Sequence, residues 1–131
     1  MNNFFHKLVK GNSITPPVKV QDALRENFMP LNIEWFIRDH FYEAVFYVEQ
    51  REYLARFEPD GNMVDFRINL PLDALPERIK KSALSKGEIM NTVEIHAGEA
   101  VSYEIIYRNK KFQRFITIFN QDGSEALGKP L

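Results

Sequence analysis

The sequence predicts an α+β fold, in which two tandem α-β-β-β-β repeats form one antiparallel sheet with the helices packed on one face. Three observations carry this prediction. Apolar and polar residues alternate with a period of two through residues 31–70 and again through residues 93–127, as in strands that bury one face. Apolar residues at helical spacing precede each of these stretches. Matched residues recur about 60 positions apart, which indicates a duplication.

The first predicted helix lies between two proline signals. Thr15 followed by Pro16 and Pro17 marks its start, because proline is tolerated in a first turn, where its missing N–H costs nothing. Pro30 ends the helix before the first strand. The apolar residues of its buried side are Val20, Ala23, Leu24 and Phe28.

Four strands are predicted between Leu31 and Leu70. Polar breaks at Asp39-His40 and Gln50-Arg51 separate the first three strands. Asp60-Gly61 is a hairpin signal, because glycine tolerates the positive φ that tight turns require. The residues expected to alternate toward one face include Ile33, Trp35, Tyr42, Ala44, Phe46, Tyr53, Ala55, Phe57, Phe66 and Ile68.

The second half of the chain repeats this order. Pro71 and Pro76 bracket the start of a helix, and Gly87 suits the left-handed position after its end. The predicted buried side of this helix consists of Leu75, Ile79 and Ala83. Alternation then returns, with Asp122-Gly123 as the last hairpin signal. The apolar members of these strands include Val93, Ile95, Val101, Tyr103, Ile105, Tyr107, Phe115, Phe119 and Leu127.

The two halves also match at individual positions. Tyr42-Glu43 and Tyr103-Glu104 open corresponding strands, and Phe119 precedes an Asp-Gly turn as Phe57 does. Because one helix and four strands bury a sheet face poorly alone, we expect both repeats to share a single domain. The predicted divisions are an N-terminal arm at 1–14, repeat one at 15–70 and repeat two at 71–127, within a single domain spanning 1–131.

The polar residues 1–14 are predicted to form a loosely held arm. The alternative is one amphipathic turn, docked on the body or on a partner, built from Phe4, Phe5, Leu8 and Val9. Charged side chains interrupt the first residues too often for the apolar region of a signal peptide. The sequence as written therefore predicts a cytoplasmic protein, or a periplasmic one if a leader was removed.

The composition is that of an ordinary globular domain of 131 residues, 44% hydrophobic and 27% charged. The 17 basic and 18 acidic side chains nearly cancel, which argues against nucleic acid as the main partner, because phosphate binding needs clustered Lys and Arg. Cysteine is absent, which excludes disulfides, thiolate chemistry and Cys-containing zinc sites. No apolar run approaches the roughly 20 residues of a membrane span.

No motif for catalysis, metal or cofactor binding is evident. His6, His40 and His96 are far apart and have no metal-ligand spacing. No glycine-rich loop follows a strand and opens a helix, which argues against a phosphate site. The sequence leaves open that His96 converges with Glu94 or Glu104. We therefore expect no catalytic, metal or cofactor site, and an enzyme is the third choice of function.

Several of these residues resemble the PepSY-like family of β-lactamase-inhibitor-like proteins, and the resemblance covers about Val18 to Leu127. The residues that carry it are Glu34-Trp35, Tyr42, Ala44, Phe46, Phe57 to Gly61, Leu75-Pro76 and Tyr103-Glu104-Ile105. The resemblance implies tandem helix-plus-meander repeats and a non-enzymatic protein whose open sheet face docks onto another protein. It also implies export, which the N-terminal sequence as written does not predict.

The sheet face directed away from the helices is the candidate functional surface. The residues predicted to lie there are Glu34, Phe36, Arg38, Glu43, Val45, Tyr47, Leu54, Arg56, Asp65, Arg67, Glu94, Glu104, Ile106, Arg108, Arg114, Ile116 and Ile118. Aromatic and branched apolar residues mixed with arginine are typical of protein interfaces. The predicted contacts to a protein partner or a second copy are Phe36, Arg38, Tyr47, Arg56, Ile106, Arg108 and Ile116.

Two alternatives to this interface remain open at the level of sequence. In the first alternative, the apolar residues of this face form pairs with each other across the strands, or they are covered by the arm or by a second copy. In the second alternative the protein carries a small apolar ligand between the helices and the sheet.

Overall fold

The computed structural model describes residues 4–8 and 14–131, and the chain divides into two compact units, Met1–Ile68 and Asn69–Leu131. The helices described are α1 Phe4–Leu8, α2 Val18–Asn27 and α3 Glu77–Leu84, with a 3₁₀ turn at Leu72–Ala74. The strands are β1 Ile33–Arg38, β2 Phe41–Val48, β3 Arg51–Phe57, β4 Met63–Leu70, β5 Glu88–Ala97, β6 Ala100–Arg108, β7 Arg114–Asn120 and β8 Glu125–Pro130. The strands of each unit follow in sequence order, and neighbours run antiparallel.

The inner face of the first unit, the side of its sheet that packs against α2, holds the core. One row across this face consists of Trp35, Ala44, Ala55 and Phe66. Val20 and Leu24 of α2 are fully buried in the same cluster. The two alanines in the middle of the row leave room for the helix to approach closely. Phe46 and Phe57 belong to the same core, so the face predicted to meet the helix is confirmed.

The turn between β3 and β4 shows why glycine is needed at its tip. Gly61 has a φ of 95°, a region that side chains rarely allow. A Cβ there would lie 2.9 Å from the backbone oxygen of Lys19 in α2. Gly61 therefore forms the predicted hairpin turn and lets α2 pass close to it.

The second unit packs α3 in a similar way. Ile79 and Ala83 of α3 are fully buried, and so is Ile105 at the centre of β6. The row that matches Trp35 to Phe66 consists here of Thr92, Ile105, Thr117 and Gly128. Gly87 follows α3, and a Cβ at this position would lie 2.5 Å from the backbone oxygen of Arg108, so only glycine fits.

The last two residues of β4 belong to the second unit and lie beside β5. The Asn69 side-chain amide donates to the Asn91 side chain at 2.8 Å and to the backbone oxygen of Thr92 at 3.0 Å. The Thr92 hydroxyl donates to the backbone oxygen of Leu70. These side-chain hydrogen bonds hold Asn69 and Leu70 beside β5.

The predicted orientation of Glu94 is wrong. In the register of β5 and β6, Glu94 lies opposite Tyr103, on the side of the sheet that carries Tyr103 and Ile105. Val93 lies opposite Glu104 and points the other way. A register shift between Ile89 and Asn91 accompanies this arrangement. Alternation located the strand, but it could not decide which of its two faces turns inward.

The N-terminal segment also differs from the preferred prediction. Residues 4–8 form α1 instead of a loosely held arm, and Phe5 is 2% exposed. The docked amphipathic turn is therefore the better description of these residues. The part of the arm at positions 1–3 and 9–13 lies outside the described residues.

The α+β class is confirmed, because each unit contains a helix packed on an antiparallel meander. The two Asp-Gly turns also match in detail. Asp60 accepts the backbone N–H of Asn62 at 2.9 Å, and Asp122 accepts that of Ser124 at 2.9 Å. In the described part of the chain no helix has the length and apolar character needed to cross a membrane.

Candidate partner-binding surface

The outer face of each sheet is the side opposite its inner face. In the first unit it carries Glu34, Phe36, Arg38, Glu43, Val45, Tyr47, Glu52, Leu54, Arg56, Asp65 and Arg67. In the second unit it carries Val93, Ile95, Glu104, Ile106, Arg108, Arg114, Ile116, Ile118, Leu127 and Lys129. These two faces contain the predicted site residues, and they differ in how far they are covered.

The arginines on the first outer face are engaged within the chain. Arg38 donates from Nη2 to Glu43 Oε2 at 2.8 Å. Arg56 binds Asp65 with two hydrogen bonds, from Nε at 3.0 Å and from Nη2 at 2.8 Å. These bonds raise the pKa of Arg56. Because Glu43 and Asp65 are buried carboxylates, they need these partners, and the two arginines primarily neutralise them.

Helix α1 is anchored to the first outer face by Glu52 of β3. The Glu52 carboxylate accepts the backbone N–H of Phe5 at 2.5 Å and that of His6 at 3.1 Å. It also accepts a hydrogen bond from the Tyr47 hydroxyl. Burial raises the pKa of Glu52, although these hydrogen bonds oppose the rise. Burial and the nearby Glu52 charge raise the pKa of Tyr47.

The apolar residues of the first outer face are already covered. Phe36 is 6% exposed, and Val45 and Leu54 are each 4% exposed. The expectation that Phe36 is open to a partner is therefore wrong. Tyr47 is half-buried and bonded to Glu52, so it supports α1 directly. Of the predicted site residues in this unit, Arg38 keeps the most exposed side chain.

A cavity of about 540 Å³ lies where α1 meets the outer face of the first unit. Its lining residues are His6, Asn32, Ile33, Glu34, Val45, Phe46, Tyr47 and Glu52. His6 Nδ1 lies 3.3 Å from Glu34 Oε2 across it. The volume is within the range of sites for small molecules, roughly 300–1,000 Å³.

The outer face of the second unit presents a row of partly exposed aliphatic side chains. Ile106 lies opposite Ile116, and Ile118 lies opposite Leu127. The three isoleucines are partly exposed, and Leu127 is 54% exposed. We call these four residues the isoleucine patch. Ile106 and Ile116 were predicted site residues, and the register brings them into direct contact distance across the strands.

One end of the isoleucine patch is basic. Arg108 lies directly opposite Arg114, and Lys129 lies opposite Ile116. Arg108 pairs with Glu88, and its guanidinium lies 5.0 Å from the centre of the Phe112 ring. Within residues 4–8 and 14–131, neither Arg114 nor Lys129 forms an ion pair. Like charges directly opposite each other are unfavourable in a sheet.

The histidines occupy three separate places. His40 lies in the turn between β1 and β2, and His6 lies in α1. His96 Nε2 lies 2.6 Å from Glu94 Oε1, which answers the open question about its convergence with Glu94. Burial, with Glu94 beside the hydroxyl, raises the pKa of Tyr103 to about 12. Across the residues described, no group of three or more His, Asp or Glu side chains could hold a metal ion.

Several residues of this surface were not among the predicted contacts. The alternation of the sequence places Arg114 and Ile118 on the correct face but does not single them out as contacts. Leu127 and Lys129 belong to β8, whose short alternating pattern gave only a weak strand signal. Glu52 was missed because its importance depends on α1, which lies 47 residues earlier in the chain. Its position opposite Tyr47 could have been found from the length of the hairpin.

Solved structures show the same fold. A DUF2874 family protein from Bacteroides ovatus matches with a TM-score of 0.83 and 17% identity, over 89% of this chain and 89% of that one. A BLIP-like protein from Bacteroides fragilis matches with a TM-score of 0.81 and 16% identity, over 90% and 88%. A Bacteroides eggerthii protein, provisionally described as periplasmic, matches with a TM-score of 0.78 and 19% identity, over 89% and 90%.

These similarities confirm the β-lactamase-inhibitor-like fold predicted above, and at this level of identity they show the fold alone. The PepSY-like part of the resemblance gains no support from them. No family model and no curated protein matches the sequence.

Proposed function

We propose that this chain is a non-enzymatic protein-binding module, inhibitor-like in architecture, which binds a protein through the outer face of its second unit. The observation that carries the proposal is the contrast between corresponding pairs. Val45 and Leu54 are buried beside α1, whereas Ile106 and Ile116 remain partly exposed. An uncovered apolar patch beside arginines is typical of a binding surface.

The proposed contact residues cover a smaller part of the protein than the contact residues expected from sequence. Ile106, Arg108 and Ile116 remain at the centre of the surface, and Ile118 and Leu127 extend it. The predicted contacts of the first unit, Phe36, Arg38, Tyr47 and Arg56, instead belong to a face that the chain itself covers or neutralises. The similarity to a BLIP-like protein supports protein binding as the type of function.

The proposal is tested by affinity capture from extracts of the native host with three immobilised proteins. These are the wild type, Ile116→Glu, and the control Leu72→Glu, which places the same charge at an exposed apolar residue of the 3₁₀ turn. We expect a protein that the wild type and Leu72→Glu retain and that Ile116→Glu loses. Identical sets of proteins on all three baits contradict the proposal.

Self-association is the version in which the partner is a second copy. Light scattering after size exclusion distinguishes it, because Ile116→Glu would then convert a dimer into a monomer. Monomers for both proteins exclude this version and leave a different protein as the partner.

The second candidate function is the binding of a small, partly apolar ligand. The cavity of about 540 Å³ beside α1 favours it, because apolar residues, Ile33, Val45 and Phe46, are among those that line it. This position differs from the expected one between helices and sheet. Native mass spectrometry of protein purified from its host tests this function, and a mass equal to that of the bare chain argues against it.

We further propose that the protein acts outside the cytoplasm, as the description of the B. eggerthii structure suggests for that protein. Cell fractionation of the native host with an antibody against the chain decides this. Recovery with the cytoplasmic fraction contradicts it.

A further inference from the structure

The two units differ at one pair of positions on the second and third strands of each meander. In the first unit, Tyr42 lies opposite Phe57, and further along the same hairpin Tyr47 lies opposite Glu52. In the second unit, the equivalent of the first pair is Tyr103 opposite Phe119. Counting the same number of residues along that hairpin reaches Arg108 opposite Arg114. Arg108 and Arg114 therefore occupy the places of Tyr47 and Glu52.

In the first unit, the pair of Tyr47 and Glu52 shows what kind of segment is bound at this position. Glu52 is a hydrogen-bond acceptor, and it holds the first turn of α1 by the backbone N–H groups of Phe5 and His6. The Phe5 side chain is buried next to this anchor. A hydrogen-bond acceptor on the sheet thus binds a short amphipathic segment through the backbone N–H donors of that segment. The apolar side chain of the segment then covers the face.

In the second unit, the corresponding residues Arg108 and Arg114 offer the opposite chemistry. An arginine guanidinium carries only N–H donors and a permanent positive charge. Backbone N–H groups therefore find no acceptor at Arg108 or Arg114. A carboxylate finds two parallel donors at Arg114, which forms no ion pair within the described residues, whereas Arg108 already pairs with Glu88. A carboxylate bound at Arg114 also relieves the repulsion between this arginine and Arg108 directly opposite it.

We propose that the segment that covers the second outer face is an acidic amphipathic segment of another protein. It places an apolar side chain over Ile106 and Ile116 and a carboxylate at Arg114, on the side that faces Arg108. This inference rests on the proposed function and names the chemistry of its partner. A second copy of α1 does not fit, because its sequence, Phe-Phe-His-Lys-Leu, has a lysine and no carboxylate.

The test uses two short synthetic peptides with blocked ends and the same Phe and Leu positions at helical spacing. One peptide carries Glu at its polar positions and the other carries Lys. Each is titrated into the whole protein with labelled isoleucine methyl groups, observed by NMR. We expect the acidic peptide to shift the methyl signals of Ile106, Ile116 and Ile118, and to bind at least about tenfold more tightly than the basic one.

Two charge-reversal variants separate a specific contact from the effect of net charge. Arg114→Glu is expected to weaken the acidic peptide by at least about tenfold and to favour the basic one. Lys110→Glu makes the same change in net charge in the exposed turn between β6 and β7, and is expected to leave binding within about twofold of the wild type. A dispersed amide spectrum shows that each variant is folded, and Arg114→Gln replaces Arg114→Glu if the latter is not.

Four results overturn the inference: no binding of the acidic peptide, equal binding of both peptides, shifts at methyl groups outside the isoleucine patch, or equal losses in both charge-reversal variants. If a dimer buries the patch, the occupant is a second copy and the inference is also wrong. If the acidic peptide does not bind but Ile116→Glu still fails to capture the partner protein, the proposed function stands and only the inference about the chemistry of the partner is wrong. Unchanged capture by Ile116→Glu removes the function itself.

Discussion

The two units share a helix packed on a four-strand meander, but among the described residues the outer face of the first unit is covered more completely than that of the second. In the first unit, Glu52 anchors α1, and Val45 and Leu54 are buried. In the second unit, the corresponding Ile106 and Ile116 are partly exposed, and Arg114 stands in place of Glu52. This difference fits a duplicated fold that uses one copy of a face for its own stability and, as proposed above, keeps the other for a partner.

Loss of the cover should have the largest effect on stability. Phe5→Ala is expected to lower the free energy of unfolding by about 3 kcal/mol, because it removes a buried ring and leaves a cavity against the sheet. Urea unfolding measures this. The control is Phe112→Ala, which truncates a phenylalanine that is 73% exposed and should cost less than about 0.5 kcal/mol. If the loss of stability in Phe5→Ala were as small as that expected for the control, α1 would not stabilise the first unit.

The anchor of α1 should give a distinct dependence of stability on pH. The pKa of Glu52 in the folded protein lies above its ordinary value of 4.5. Between these two values the folded state binds more protons than the unfolded state, so the contribution of Glu52 to the free energy of unfolding falls as the pH rises. Glu52→Gln should remove this decline, as measured by urea unfolding from pH 4.5 upward.

The matched control for this pH series is Glu49→Gln, in the exposed turn between β2 and β3. It should keep the decline of the wild type. If the free energy of unfolding of Glu52→Gln still declines with rising pH, another titrating group causes the decline.

The inner faces of the two units differ in their polar groups, which a pair of tyrosine variants tests. The Tyr103 hydroxyl is bonded to Glu94, whereas Ile37 occupies the place opposite Tyr42. Tyr103→Phe is expected to lower the free energy of unfolding by about 1 kcal/mol, because it leaves a half-buried carboxylate with one partner fewer. Tyr42→Phe should have less than half this effect. Thermal unfolding of both variants makes the comparison, and equal losses would contradict it.

The smallest expected effect is a gain. Arg114→Ala should raise the free energy of unfolding by about 0.5 kcal/mol at low salt, because it removes one of two arginines that lie directly opposite each other. The gain should disappear at high salt, where charge repulsion is screened. A loss of stability at low salt would mean that Arg114 has a stabilising role within the chain.

The fold was predictable from sequence because it depends on local periodicity. Alternation placed Trp35, Phe46 and Phe57 toward the helix, and the Asp-Gly pairs fixed two turns. The cover of the first outer face was not predictable in the same way. It depends on a helix of five residues that is held by a carboxylate 47 positions later, and no local pattern records that contact.

The candidate site was predictable only in part, for two physical reasons. A period of two tells which residues share a face but not which face turns inward, so Glu94 was assigned to the wrong side. Exposure depends on what lies above a face, so Phe36 and Ile106 looked equivalent in the sequence. The register of β6 and β7 was needed to bring Arg108 opposite Arg114.

The covered first face and the open second face can be compared directly by methyl NMR with a soluble paramagnetic agent in the solvent. We expect strong signal loss for Ile106, Ile116 and Ile118 and little loss for Val45 and Leu54, in a single sample of the wild-type protein. Equal attenuation of the two groups, or protection of the three isoleucines, would contradict it.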